Sequence, residues 1–179
     1  MGIPPPTEGA FGPDLDFLSA PSAVLANLRA DEKGTLEHFA RVADAAPIPI
    51  MFQDAPLSGA NLSASFLARL AREVPAVCYF KIEVPGAAAK LRSLVAAGGD
   101  AIVGPFDGEE SITLMADLDA GATGTMPSAL IPDLIKPVFE HHRAGRRKEA
   151  AAAYARILPL INFENRQCGL RATKTVMAA

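Results

Sequence analysis

Residues 78–86 read CYFKIEVPG, a β-prone apolar run that carries Lys81 and Glu83 inside it and ends on a Pro85-Gly86 turn signal. Side chains two apart in a strand share a face. Tyr79, Lys81 and Glu83 therefore point one way, and Cys78, Phe80, Ile82 and Val84 the other. The apolar set suits a layer of covering helices, which leaves the lysine and glutamate to a second, enclosed face. Low-dielectric walls disfavour an ammonium and make the free amine available. That is what Schiff-base chemistry with a carbonyl substrate requires. Glu83, one pleat further on, is placed to move protons at the neighbouring carbon. The plainer alternative is a Lys–Glu pair that serves packing alone.

Outward from this strand, the chain repeats a strand-then-helix unit. IPIMFQDA (48–55) is a short apolar run between prolines, and a helix is expected over 62–74 with Asn61 or Ser63 as its N-cap. The central strand, 76–84, leads to a helix over 87–98 that stops on Gly98-Gly99. A strand over 100–106 precedes a helix over 109–121, and a last strand over 122–127 precedes a helix over 132–143. Further helices are expected over 36–45, 148–160 and 165–177.

Four βα units with short connections and uniformly apolar strands predict a parallel sheet covered by helices. A doubly wound sheet and part of a (β/α)₈ barrel both fit. The first strand–helix turn has no GxGxxG, and GDAIVGPFDGEE (99–110) matches a phosphate loop poorly, which removes the main support for a nucleotide-binding sheet. A complete barrel takes about 250 residues and eight strands. This chain has 179 residues and four convincing strands, so a barrel reading means a partial barrel. The expected organisation is an irregular segment over 1–30, punctuated by PPP, GPD and APS, followed by a half barrel with C-terminal helices over 31–179.

In a barrel, the carboxyl ends of the strands build the active site. Gln53 and Asp54, followed by Ser58 and Gly59, stand at one such end; Gly104 in GPFDG and Met126 in TMPS stand in glycine- and hydroxyl-rich stretches at others. These are the candidate substrate-binding residues beside Lys81 and Glu83. Half of the residues are hydrophobic, 6% are aromatic and the net charge is −3, as for one globular domain with a core. That balance gives no electrostatic argument for nucleic acid or an anionic membrane as partner. The basic run RAGRRK (143–148) reads as a solvated turn. Cys78 and Cys168 lie far apart with no second thiol or histidine at ligand spacing, so neither a metal site nor a disulfide framework is expected. No apolar run approaches the roughly 18 residues of a membrane span, and the first residues lack a signal-peptide pattern, so the expected compartment is the cytoplasm. His38, His141 and His142 read as surface residues, Tyr154 and Phe163 as packing, and Glu164, Asn165 and Arg166 as a structural hydrogen-bond cluster, with helix-cap or interface roles as the alternatives.

From about residue 28 to 177 the chain resembles the second half of the dihydrodipicolinate synthase/N-acetylneuraminate lyase superfamily. Its members are (β/α)₈ barrels in which a lysine on the sixth strand forms a Schiff base with a 2-keto acid. YFKIEVPG falls on that strand, PIMFQDAPLSG on the fifth, and GDAIVGPFDGEE and GATGTMPS on the seventh and eighth. QDAP, FKIEVPGAAAKLR, GPFDGEE and LPLINFENRQCG bring the chain nearest to members that dehydrate 2-keto-3-deoxy-L-arabonate. The resemblance implies a covalent role for Lys81, acid–base work for Glu83, a small 2-keto acid as substrate, no external cofactor and a homo-oligomer, a dimer or tetramer in the intact family. It sets Phe52 where synthase members carry a proton-shuttling tyrosine. A phenyl ring moves no proton, which favours dehydration of a 2-keto-3-deoxy sugar acid over aldol condensation. The alternatives are 4-hydroxy-tetrahydrodipicolinate synthase, a keto-sugar-acid aldolase, or an inactive truncated fragment, since strands one to four have no counterpart here.

Overall fold

The computed structural model describes residues 23–26, 31–46, 48–55 and 62–178. They form two compact units, the first running to Lys81 and including Ser93–Gly104, the second comprising Ile82–Arg92 and the chain from Pro105 onward. The strands are β1 (Ala23–Ala26), β2 (Ile50–Asp54), β3 (Val77–Ile82), β4 (Gly104–Asp107) and β5 (Gly124–Thr125). They are hydrogen-bonded in chain order, β1-β2-β3-β4-β5. A doubly wound sheet reverses its order at a switch point; this order has no reversal.

In the first unit, β1 pairs parallel with β2, from Ala23 opposite Ile50 to Ala26 opposite Gln53. This strand lies inside the segment 1–30 that was expected to be irregular; AVLA is too short a run to show a period. Residues 1–22 and 27–30 of that segment lie outside the described residues. The Ile50 N–H donates to the Ala76 carbonyl at 2.7 Å, and the Val103 N–H to the Cys78 carbonyl at 3.0 Å. Helix α1 (Glu32–Ala45) starts earlier than its apolar period suggests, because Asp31 caps it by accepting the Gly34 N–H at 2.7 Å. Ser63 caps α2 (Ala64–Glu73) by accepting the Phe66 N–H at 3.1 Å. The buried face of α2 carries Phe66, Leu67, Ala68, Leu70 and Ala71. Phe39, Phe52 and Phe80 are wholly buried and packed together as tilted rings, with successive centroids 5.1 and 6.2 Å apart. Each such ring stabilises the unit by about 1.5–3 kcal/mol through burial alone.

In the second unit, β4 pairs parallel with β5, Phe106 opposite Gly124 and Asp107 opposite Thr125. A Cβ on Gly124 would stand 2.1 Å from the Phe106 ring, so glycine is what lets that ring lie against β5. Helices α4 (Leu114–Asp119), α5 (Pro132–Arg143) and α6 (Arg147–Phe163) share a core of Leu114, Leu118, Ile131, Ile135, Val138, Ala150, Tyr154, Ile157 and Ile161.

Several boundaries differ from the sequence expectation for local reasons. The central strand ends at Ile82, two residues early, ahead of the turn at Gly86 (φ 77°). Helix α3 (Ala87–Gly98) runs into a 3₁₀ turn over Gly99–Ala101, so β4 begins only at Gly104. The helix expected from 109 starts at Leu114, because Glu110 (φ 55°) and Ser111 (φ 69°) adopt left-handed backbone. The strand expected over 122–127 keeps only Gly124–Thr125. Helix α6 continues into a π-helical turn, Glu164–Cys168, and Gly169 (φ 57°) separates it from α7 (Leu170–Met177).

Candidate active site

Lys81 is the penultimate residue of β3, half-buried between the wholly buried Phe80 and Ile82. Tyr79, on the same side of the strand, is 3% exposed. Burial first, and then Cys78, pushes its phenol up to about 12, so it stays protonated and serves no base function. Burial likewise pushes the Cys78 thiol up to about 11 and leaves it inert. Gln53 and Asp54 close β2, Gln53 half-buried and Asp54 wholly buried.

Phe52 packs on Phe39 of α1 and on Phe80, which puts it on the helix-facing side of the sheet. It is therefore not the residue that shares the face of Lys81. By strand alternation that place on β2 belongs to Gln53. The tyrosine position assigned to Phe52 is thus one residue off. The chemical consequence survives the correction, since an amide moves no proton either.

Glu83 stands just beyond β3 and is half-buried. Its backbone is held from one side by Gly108, whose N–H donates to the Ile82 carbonyl at 3.0 Å. A Cβ on Gly108 would lie 2.7 Å from the Ile82 oxygen and 2.8 Å from the Glu83 Cβ, so only glycine fits. Met126 is half-buried beyond β5, and its N–H donates to the Asp107 carbonyl at 3.3 Å. Gly104 opens β4 at its amino end, a buried strand residue and not part of a turn at the carboxyl end. Ser58 and Gly59 lie outside the described residues.

Sequence reading missed the polar groups beneath these ends. Asp107 is wholly buried and accepts the Glu109 N–H at 3.2 Å, the Ser111 N–H at 3.0 Å and the Thr125 hydroxyl. Ser111 and Thr125 exchange a hydroxyl bond at 2.8 Å, and the Tyr154 hydroxyl donates to the Ser111 carbonyl at 2.9 Å. Glu164, 3% exposed in the π turn, accepts the Ser128 hydroxyl at 2.6 Å and that of Thr173. Arg166 reaches Glu109 at 3.2 Å. The hydrogen-bond cluster expected around 164–166 is present and is anchored to the turns that follow β4 and β5. At the surface, Asp119 takes His142 at 3.1 Å and Arg147, and the Arg147 guanidinium chiefly holds its carboxyl below the usual range. Among the described residues no helix is long and apolar enough to cross a membrane, and no three metal-ligating side chains cluster.

The chain is 59% identical over 152 residues to L-2-keto-3-deoxyarabonate dehydratase of Azospirillum brasilense, a match covering 85% of this chain and 49% of that protein. It is 29% identical over 146 residues to a 4-hydroxy-tetrahydrodipicolinate synthase of Chlorobium limicola, covering 74% and 45%. Among solved structures, the dihydrodipicolinate synthase of Rhodopseudomonas palustris superposes with a TM-score of 0.75 at 23% identity, covering 87% of this chain and 55% of that one. The synthase of Acinetobacter baumannii, solved with pyruvate, superposes with a TM-score of 0.76 at 20% identity. These likenesses carry the fold: the chain corresponds to about half of a (β/α)₈ barrel and spans about half the length of the curated relatives it matches. Residues 28–179 match the Dihydrodipicolinate synthetase family, and the chain belongs to it.

Proposed function

We propose that this chain carries the Schiff-base half of a hydro-lyase that dehydrates a 2-keto-3-deoxy sugar acid of the L-arabonate type. The observation that carries the reading is the 59% identity to L-2-keto-3-deoxyarabonate dehydratase across the stretch containing Lys81 and Glu83. The Lys81 amine attacks the C2 ketone and, with loss of water, forms an iminium that acts as an electron sink. Glu83 removes a C3 proton to give the enamine. The enamine expels the C4 hydroxyl, which takes the proton that Glu83 removed from C3 and leaves as water. Hydrolysis of the remaining iminium frees the unsaturated keto acid and restores the amine, so one water is lost overall. Gln53, Asp54, Ser58, Gly59 and Met126 are the proposed substrate contacts; Gly104, buried at the amino end of β4, is not among them. Gln53 lies on the face of Lys81. The imine does the polarising, so the mechanism calls on no metal or organic cofactor. A cytoplasmic, homo-oligomeric enzyme belongs to the same reading.

A second reading, synthase or aldolase, is supported by the likeness to the Chlorobium synthase. Parallel assays separate them: a 2-keto-3-deoxypentonate alone against pyruvate plus aspartate semialdehyde. Dehydration of the first supports the proposal. Turnover of the second pair alone overturns it.

A further inference from the structure

Two wholly buried aspartates sit where the mechanism makes no use of them. Asp107 ends β4 and Asp117 lies on α4; both are 0% exposed. Asp107 has donors all round: two backbone N–H groups and the Thr125 hydroxyl. Asp117 differs. Its Oδ2 accepts the Thr113 hydroxyl at 2.6 Å, while its Oδ1 is buried with no donor. Asp107, and after it Glu109, are the acidic neighbours that push its carboxyl up. Two carboxylates offer each other only acceptors, and a buried acceptor without a donor is costly. A single proton on Asp117 turns that orphan oxygen into a donor and removes the repulsion.

The groups that act on Asp117 offer no alternative. Asp107 from β4 and Glu109 from the following turn are both acidic, and Tyr154 from α6 faces both aspartates and is itself pushed up to about 12, by burial and then by those two. Burial first, with Asp107 and Glu109 adding to it and Thr113 opposing, pushes Asp117 up to about 7. The turn above this pair holds Glu110 and Ser111 in left-handed backbone, a conformation that persists only where surrounding bonds over-determine it. Those bonds are the N–H groups of Glu109 and Ser111 on Asp107 and the Tyr154 hydroxyl on Ser111. The same turn begins with Gly108, pressed on the backbone at Glu83.

We propose that Asp117 keeps a proton on Oδ1 and donates it to the Asp107 carboxylate, and that this singly protonated pair is the positioning element that holds the 108–111 turn against Glu83. Its bearing on catalysis rests on the reading of Glu83 as the base; the pair itself does not. Alkaline pH removes the proton, opposes two buried charges and loosens the turn.

Carboxyl-labelled NMR titration of the whole chain, wild type against Asp117→Asn and Asp107→Asn, tests this, with melting and amide exchange followed from pH 5 to 9. One aspartate is expected to titrate near 7 in the wild type, to vanish in Asp117→Asn and to fall in Asp107→Asn. An asparagine amide donates to Asp107 at every pH, so Asp117→Asn should gain on the wild type in melting temperature as pH rises. Exchange at Ser111, corrected for intrinsic base catalysis, should speed up about tenfold per unit above the pair's pKa in the wild type only. Titration of both aspartates near their ordinary value of about 3.9 overturns the pair, as does a melting difference independent of pH. If Asp117→Asn does not fold, the wild-type titration and its fall in Asp107→Asn decide. A pair confirmed in a chain that forms no keto-acid adduct leaves the pair standing and removes only the proposed function.

Discussion

At the scale of the residue, Lys81 and Glu83 stand out because two charges at strand spacing inside an apolar run have few plain explanations. Both are half-buried, and Glu83 lies just past the strand's end. Their roles separate by experiment. Glu83→Gln should still form the imine, but exchange of C3 protons of a bound 2-keto acid into deuterated water should fall by about 10²–10⁴-fold, the usual size of a lost general base. Unchanged exchange would move the base elsewhere. The Phe52 assignment failed by one residue because a contact, and not the sequence, shows which face of β2 meets α1: Phe39 claims Phe52 for the core. The thiols give a second prediction. Cys78, buried and pushed up to about 11, should resist alkylation at neutral pH while the partly exposed Cys168 is modified first, as peptide mapping would report.

At the scale of the element, strands and helices were legible from period and punctuation, and their ends were not. Asp31 extends α1 by a cap, and left-handed backbone at Glu110 and Ser111 shortens the helix after β4. The buried network beneath the turns was out of sight for a different reason. Asp107 and Thr125 are 18 residues apart, and Tyr154 and Ser111 are 43 apart, so no local pattern announces them. Gly108 is the element-scale test of how Glu83 is held. Gly108→Ala forces a methyl to within 2.7 Å of the Ile82 carbonyl oxygen and 2.8 Å of the Glu83 Cβ. C3 exchange should collapse in that variant while imine trapping at Lys81 persists; equal loss of both would mean a general folding defect. Ser63→Ala, which removes the α2 cap, should cost about 1 kcal/mol in denaturant unfolding and leave trapping untouched.

At the scale of the whole molecule, the repeated strand–helix unit fitted either a doubly wound sheet or a partial barrel, the family resemblance favoured the barrel, and the strand order and the family match agree with the barrel. β1 went unread because four residues, AVLA, carry too little pattern, and only pairing with β2 identifies them. Titration adds a prediction at this scale. Asp117 binds its proton more tightly folded than unfolded, so its contribution to stability is complete below about pH 4 and is lost as pH rises through about 7. Calorimetry from pH 4 to 9 should show that loss in the wild type and a flatter profile in Asp117→Asn. The central claim, however, is covalent. The chain incubated with pyruvate or a 2-keto-3-deoxy acid, reduced with borohydride and digested, should carry the adduct on the peptide containing Lys81, and Lys81→Arg should carry none. An adduct on another lysine, or no adduct at all, would contradict the account.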